Sequence, residues 1–168
     1  MTGDTLLPLD RFLSTLEIVR REAQHLQYSH QRLFAQPIDA DWVRSLESAP
    51  ELAERMEAFI SRYGRMQDTI ADKLLPRWLM ALAERPGAQI EVLNRSERLG
   101  VLDSAEDWLQ ARKLRNRLVH EYMESPEALA ADLILAGQYT ALLLETYERI
   151  RAFAETRMSI STSDYGTH

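Results

Sequence analysis

Apolar side chains recur at alternating steps of four and three residues in three long stretches, and this spacing constrains the fold more than any other feature. In the first stretch the repeat is Phe12, Leu16, Val19, Ala23, Leu26 and Leu33, with His30 in one slot. The second and third repeats are Leu52, Met56, Phe59, Tyr63, Met66, Ile70 and Leu129, Leu133, Ala136, Leu143, Tyr147, Ile150, Ala154. This period gives each stretch one apolar stripe when it is helical, so we expect three long amphipathic helices.

Helix-start signals add a fourth long helix and sharpen the other boundaries. A helix is expected over residues 104 to about 123, because its first residues follow an aspartate in the sequence Asp-Ser-Ala-Glu. Ser48 and Glu51 have the spacing of a capping box for the second long helix. Ser125 followed by Pro126 is typical of a helix start, and it predicts where the last helix begins.

Shorter helical segments are expected between the long ones, at residues 39 to 47 and 89 to 99. Gly100 follows the second of these and is predicted to end it. Pro76 lies inside an otherwise helical stretch, so we expect a kink or a division of the helix near Leu75.

The length and the apolar content favour one core. With 168 residues and 45% apolar side chains, the chain suits a single domain, which we place over residues 5 to 158. The expected fold class is all-α, an antiparallel up-down bundle of four long helices plus one or two short helices. Residues 159 to 168 are polar and are expected to form a disordered tail.

Composition restricts the function further. The chain has no cysteine, so disulfides and thiolate metal sites are excluded. A net charge of −6 argues against non-specific coating of nucleic acid, which needs a broad basic surface. No apolar run is long enough for a membrane span and the N-terminus lacks the basic start of a secretion signal, so we expect a cytoplasmic protein.

Neither a metal nor a cofactor is expected. Glu22 and His25 match the Glu-x-x-His element of di-iron bundles, but such a site needs a second copy of the element and the sequence has none. The glycines are scattered, so no glycine-rich phosphate loop is formed.

The chemistry of the chain is concentrated in residues 112 to 122, where the charge is locally positive. Arg112, Lys113 and Arg117 supply cations, and no acid occurs before Glu121. Arginine offers a rigid fork of donors for phosphate oxygens, and a small basic site for a phosphate group is therefore expected here. A solvated helix face is the alternative for the charge run alone.

Within this run Arg115, Asn116, His120 and Tyr122 form a set suited to phosphate chemistry, because histidine exchanges protons near neutral pH. On an ideal helix these four side chains do not converge. Either the helix loosens before Pro126, or a second copy of the chain supplies complementary groups in an isologous homodimer.

Structural roles for the same residues stay open. A histidine at a helix end interacts favourably with the negative end of the helix dipole, which is a role open to His120. Arg115 has the option of pairing with a nearby acid such as Asp107 or Glu121. Tyr122 is also suited to an interface or core position.

The run Arg115-Asn116-Arg117-Leu118-Val119-His120-Glu121-Tyr122 resembles the Arg-x4-His-x-Tyr signature of the HEPN superfamily. More narrowly, it is similar to the HepT-like toxins that pair with a minimal nucleotidyltransferase antitoxin. The likeness covers residues 5 to 158, with residues 37 to 51 as an insertion relative to compact members.

This resemblance implies a homodimeric, metal-independent endoribonuclease toxin that acts on RNA and is neutralised by its nucleotidyltransferase partner. Arg115 would hold the scissile phosphate, His120 would act as general base or acid, and Asn116 would orient the pair. Tyr122 corresponds to the tyrosine that the antitoxin adenylylates. Two other functions remain open, namely a non-catalytic nucleotide- or substrate-binding subunit of a nucleotidyltransferase and a helical interaction module.

Overall fold

The computed structural model describes residues 7–120 and 125–161, and the side chains of all of these except residues 119 and 120. Every regular element in these two ranges is helical, which confirms the predicted all-α class. The α-helices are α1 (Pro8–Leu33), α2 (Ala40–Arg44), α3 (Pro50–Thr69), α4 (Leu75–Ala81), α5 (Gln89–Arg98), α6 (Ala105–His120) and α7 (Pro126–Arg157). A 3₁₀ turn (Ser45–Ser48) follows α2, and a π turn (Ile70–Leu74) joins α3 to α4.

The apolar stripes that define the bundle are buried as predicted. Every apolar residue of the first and third repeats is at most 8% exposed, and in the second repeat only Leu52 is partly exposed. His30, in the polar slot of the first repeat, is partly exposed. Thr140, which is 2% exposed, occupies the one polar slot of the α7 stripe, and its hydroxyl donates a hydrogen bond to the Ala136 carbonyl at 2.8 Å. Burial of one stripe on each long helix accounts for the helical-bundle character of the chain.

The chain forms two compact units, each assembled from separate stretches of sequence. The first contains the described residues of Met1–Arg21, Asp68–Ala105 and Glu145–His168, and the second contains those of Glu22–Gln67 and Glu106–Leu144. The prediction of one domain over residues 5 to 158 stays a prediction. Of the tail expected over residues 159 to 168, positions 162 to 168 lie outside the described residues.

In the first unit, α4 contacts both α1 and α7. The Arg77 guanidinium donates a hydrogen bond to Thr15 Oγ1 at 2.7 Å, which connects α4 to α1. The Trp78 ring packs edge-on against Phe153 of α7 with 5.1 Å between the ring centroids. Trp78 itself is fully buried.

In the second unit, aromatic rings connect α1 and α3. The Phe34 and Phe59 rings meet edge-on with 5.4 Å between centroids, His30 lies 4.8 Å from Phe34, and Tyr63 lies 6.2 Å from Phe59. His30, which the sequence places in the apolar register, therefore packs its ring against two phenylalanine rings.

The start of α3 differs from the prediction. Ser48 was expected to cap this helix with Glu51, but α3 begins at Pro50, and the Ser48 hydroxyl instead donates to the Ser45 carbonyl at 3.2 Å. Proline suits the first helical position because its fixed φ matches the helix and its missing N–H has no partner there. The predicted cap at Ser125 is confirmed, since its Oγ accepts from the Ala128 amide at 3.2 Å and α7 begins at Pro126.

Pro76 divides the helix as predicted. The preceding Ile70–Leu74 segment is a π turn, in which the Leu75 amide donates to the carbonyl of Ile70, five residues earlier. A π turn widens the helix by one residue, which relieves the clash that a proline ring makes with the preceding turn.

Among the described helices, α7 is long and apolar enough to cross a membrane by length and composition alone. A core helix of a soluble protein passes the same test, and 33% of the most apolar window of α7 is buried. The cytoplasmic location stays a prediction.

Candidate functional site

The candidate site is built on α6, in the second unit. Four side chains of this helix, Trp108, Ala111, Leu114 and Leu118, are at most 1% exposed and fix one face of α6 in the core. The opposite face leaves Arg112, Lys113 and Asn116 exposed, while Arg115 is half-buried at the edge. The helix therefore presents its cations on a surface whose orientation is set by a well-packed apolar face.

Tyr63 of α3 attaches α6 at the turn that carries Arg115. Its buried hydroxyl donates a hydrogen bond to the Ala111 carbonyl oxygen at 3.1 Å. In the α-helical register this same carbonyl also accepts the backbone N–H of Arg115. Burial raises the pKa of the Tyr63 phenol, because the ionised ring would lie in the core. The phenol thus stays a neutral donor at physiological pH.

The Arg115 side chain lies along α3 at a glycine. A Cβ atom placed on Gly64 would be 3.3 Å from both Cγ and Nε of Arg115, which is tighter than ordinary van der Waals contact. Glycine inside a helix is unfavourable by roughly 0.5–1 kcal/mol relative to alanine. Its presence at position 64 is explained by the space that the Arg115 side chain occupies.

Arg115 also contacts its neighbour in the sequence. Its Nη1 donates a hydrogen bond to Asn116 Oδ1 at 3.2 Å. The amide of Asn116 thus helps to hold the guanidinium at the surface of α6. The orienting role expected for this residue, which also involves His120, stays a prediction.

Arg117 points away from these two residues and pairs with α7. Its Nε and Nη2 donate to the two carboxylate oxygens of Asp132 at 3.3 Å and 3.1 Å, which is a bidentate arrangement. The Asp132 carboxylate thus occupies the guanidinium fork that was expected to bind phosphate. A role for Arg117 in binding RNA would require this ion pair to open.

Arg112 and Lys113 are the accessible cations of the site. Within the part of the chain that the structure describes, neither makes an ion pair or a side-chain hydrogen bond. Arg112, Asn116 and His120 follow one another at steps of four along α6, so their backbone positions lie on one helical face.

Of the other predicted site residues, the structure describes the backbone of His120 and does not describe Tyr122. His120 is the last residue of α6, and its backbone position is one turn beyond Asn116. Tyr122, the predicted site of adenylylation, lies outside the described residues. The structure brings Arg115 and Asn116 together and leaves the expected positions of the His120 and Tyr122 side chains as predictions.

Several supporting residues were not foreseen from the sequence. Tyr63 appeared only as a core residue, and Gly64 and Asp132 were not singled out. Gln67, one turn beyond Gly64, is 1% exposed, and its Oε1 accepts no hydrogen bond from a described residue. A glycine and a glutamine inside an otherwise regular helical repeat are the sequence signals that could have indicated this face of α3, and they were not used.

No group of three or more histidine, aspartate or glutamate side chains suited to a metal ion occurs among the residues whose positions are described. No family model, no curated protein and no solved structure matches the chain.

Proposed function

We propose that this protein is a HEPN-type, metal-independent endoribonuclease that acts as the toxin of a toxin–antitoxin pair. The observation that carries the proposal is the support given to Arg115. This guanidinium lies on Gly64 and donates to Asn116, five residues before a histidine that ends the same helix. An arginine held in a fixed place is what a phosphate-binding and charge-stabilising role requires.

The proposed reaction is cleavage of RNA by its own ribose. The His120 imidazole takes the proton of a ribose 2′-hydroxyl, and the 2′-oxygen attacks the adjacent phosphorus. Arg115 stabilises the additional negative charge on the phosphorane. The bond from phosphorus to the 5′-oxygen then breaks, and that oxygen receives a proton from an acid. The products are a 2′,3′-cyclic phosphate and a 5′-hydroxyl.

A homodimer completes this site. Proton removal and proton donation occur on opposite sides of the phosphorus, so one imidazole does not serve both ends of a single cleavage step. A second copy related by a twofold axis would bring its own His120 to the leaving oxygen. In this proposal the four long helices form the antiparallel HEPN bundle, and the two α6 helices line one RNA cleft with Arg112 and Lys113 at its edges.

Control of the toxin is proposed to act through Tyr122. A nucleotidyltransferase partner would transfer AMP from ATP to the phenol oxygen, with release of pyrophosphate. The attached phosphate would place negative charge near Arg115, and the nucleoside would fill the cleft, so RNA would be excluded by charge and by volume. Loss of modification in Tyr122→Phe, with cleavage retained, is the expected result.

The test is cleavage of total RNA by the purified protein in excess EDTA. We expect wild-type protein to leave 2′,3′-cyclic phosphate ends, and His120→Ala and Arg115→Ala to leave RNA intact. His25→Ala is the matched control, because His25 is exposed on α1 and lies outside the candidate site. Cleavage that persists in both His120→Ala and Arg115→Ala would refute the assignment.

Mass spectrometry first confirms that the protein carries no adenylyl group. If unmodified wild-type protein then binds RNA or nucleotide without cleaving, the non-catalytic binding subunit replaces the nuclease. If it does neither, the helical interaction module is the remaining function.

A further inference from the structure

A polar cavity lies between α1 and α3, within the second unit. Its volume is about 320 Å³, near the lower end of the range for small-molecule sites. The walls carry three arginines, two glutamates and a tyrosine: Arg32, Arg55, Arg62, Glu51, Glu54 and Tyr28. Ser29 and Ala58 complete the lining.

The charges of this cavity do not neutralise one another. Within the described part of the chain, none of its five charged side chains makes an ion pair with another residue. Glu51 and Arg55 are one turn apart in the order that favours pairing on a helix, yet they make no salt bridge. Both kinds of charge therefore remain available to a ligand.

Two of the arginines are held by their surroundings. Arg62 donates through Nη1 to the hydroxyl of Ser29 at 2.7 Å, and Ser29 is 5% exposed. Arg32 donates to the Tyr28 hydroxyl at 2.9 Å, and its guanidinium carbon lies 5.4 Å from the centre of the Tyr28 ring. Arg62 is therefore positioned by a buried hydroxyl before any ligand binds, and the Arg32 guanidinium lies beside the Tyr28 ring at the surface.

Tyr28 adds an aromatic surface to the cavity. The residue is 55% exposed, which leaves ring surface available for stacking. Aromatic rings with arginines beside them are the groups on which nucleobases stack.

We infer that this cavity binds a nucleotide unit, with the phosphate on the arginines, the base against Tyr28 and base N–H groups on Glu51 and Glu54. Carboxylates only accept hydrogen bonds, so they favour a base edge that presents donors. Guanine offers a ring N–H beside an amino group, whereas uracil offers one N–H between two carbonyl oxygens. The site therefore prefers guanine nucleotides over uracil nucleotides.

The inference stands apart from the proposed nuclease, because binding here requires no cleavage. The nucleotide unit has two sources, a free mononucleotide or a residue of single-stranded RNA. Calorimetric titration with guanosine monophosphate, uridine monophosphate, inorganic phosphate and a short 2′-O-methyl oligoribonucleotide rich in guanine distinguishes them. The methylated strand cannot be cleaved through its 2′-oxygen, so the result is independent of nuclease activity.

Arg55→Gln and Arg32→Gln are the test variants, and Arg21→Gln, exposed on α1 outside the cavity, is their control. We expect guanosine monophosphate to bind the wild type and the control equally, and each test variant at least about tenfold more weakly, since each loses a charge-assisted contact. Uridine monophosphate is expected to bind about tenfold more weakly than guanosine monophosphate.

Binding of the oligonucleotide alone, with the same loss in Arg55→Gln and Arg32→Gln, would identify RNA as the source of the nucleotide. Equal affinity for inorganic phosphate and guanosine monophosphate would overturn the inference, because no base would then be recognised. Loss of binding in Arg115→Ala but not in Arg55→Gln would also overturn it, by moving the nucleotide to α6. Absence of binding by every probe would have the same effect.

Discussion

The Tyr63 hydroxyl and the Ala111 carbonyl oxygen are 3.1 Å apart, and their hydrogen bond joins α3 to the turn of α6 that carries Arg115. Ala111 and Tyr63 are both fully buried, so water has no access to replace this bond. The position of Arg115 relative to α3 therefore depends on this buried donor as well as on apolar packing.

Removal of this donor is expected to destabilise the protein. Tyr63→Phe should lower the free energy of unfolding by about 1 kcal/mol, the net value of a typical buried hydrogen bond. Urea denaturation measures the change. Tyr28→Phe is the control, because that hydroxyl accepts from Arg32 at an exposed site and should contribute under about 0.5 kcal/mol. Equal changes in the free energy of unfolding would show that the buried Tyr63 hydrogen bond stabilises the protein no more than the exposed Tyr28 hydrogen bond does.

Tyr63 also makes stability depend on pH in the alkaline range. Burial raises the pKa of Tyr63 above the ordinary value of 10.0. At a pH between the ordinary pKa and the raised pKa, the folded chain keeps a proton that the unfolded chain has released. Stability is then full below about pH 10 and falls at higher pH, by about 1.4 kcal/mol per pH unit for one such group.

The raised pKa of Tyr147 acts in the same direction, and burial is again the main cause. Comparison of wild type with Tyr63→Phe by urea denaturation from pH 8 to 11 isolates the Tyr63 contribution. A smaller decline above pH 10 in the variant is expected. Parallel curves would show that Tyr63 ionises in the folded protein as it does in water.

Replacement of Gly64 by alanine is expected to leave the stability of the protein nearly unchanged and to lower its activity. Alanine favours the helix by roughly 0.5–1 kcal/mol, whereas its Cβ would force Arg115 to move by a few tenths of an ångström. We expect Gly64→Ala to keep its melting temperature within a few degrees and to lose about tenfold in RNA cleavage, on the proposed function. Ser61→Ala, exposed on the same helix, is the control and should retain full activity.

Asp132 is expected to restrain Arg117. Asp132→Asn should cost under about 1 kcal/mol of stability, since the pair is partly exposed. Without the Asp132 charge opposite Arg117, we expect the protein to bind a non-cleavable RNA about threefold more tightly at low salt. Glu148→Gln removes the same charge from an exposed position of α7 and should change affinity little. An equal gain in both variants would attribute the effect to net charge alone.

Gly137 of α7 is expected to reject alanine because of Phe34. An added Cβ would lie 2.7 Å from Cζ of that ring, well inside contact distance. We expect Gly137→Ala to destabilise the protein by about 1–3 kcal/mol, although the same change usually stabilises a helix. In a Phe34→Leu background the sign should reverse, because the smaller side chain removes the clash. Thermal unfolding of the wild type, Gly137→Ala, Phe34→Leu and the double variant measures the effect of alanine in both backgrounds.

Helix positions and buried stripes were predictable because they depend on local periodicity. The stripe of α7 from Leu129 to Ala154 is buried along its whole length, and the starts of α6 and α7 fall where their capping residues indicated. The start of α3 was not, because the first-turn proline at position 50 favoured a different boundary from the Ser48 pair.

The supporting contacts of the site were not predictable, because they join residues distant in sequence. Nothing local to Arg115 indicates that it lies on Gly64, and nothing near Arg117 selects Asp132 as its partner. Such pairings follow from how helices pack, and helical periodicity shows which face is buried without showing against what.

The π turn at Ile70–Leu74, in the first unit, adds one residue to the chain without changing the directions of the side chains before and after it. A π turn is an α-helix with one residue inserted and the flanking side chains left in phase. Loss of one residue there would restore a continuous α-helical repeat, and it would also bring back the clash between the Pro76 ring and the preceding turn. By contrast, deletion of one residue within α4 would rotate the side chains that follow it by about 100°. The extra residue thus lets the helix pass Pro76 while the buried side chains before and after it keep their directions.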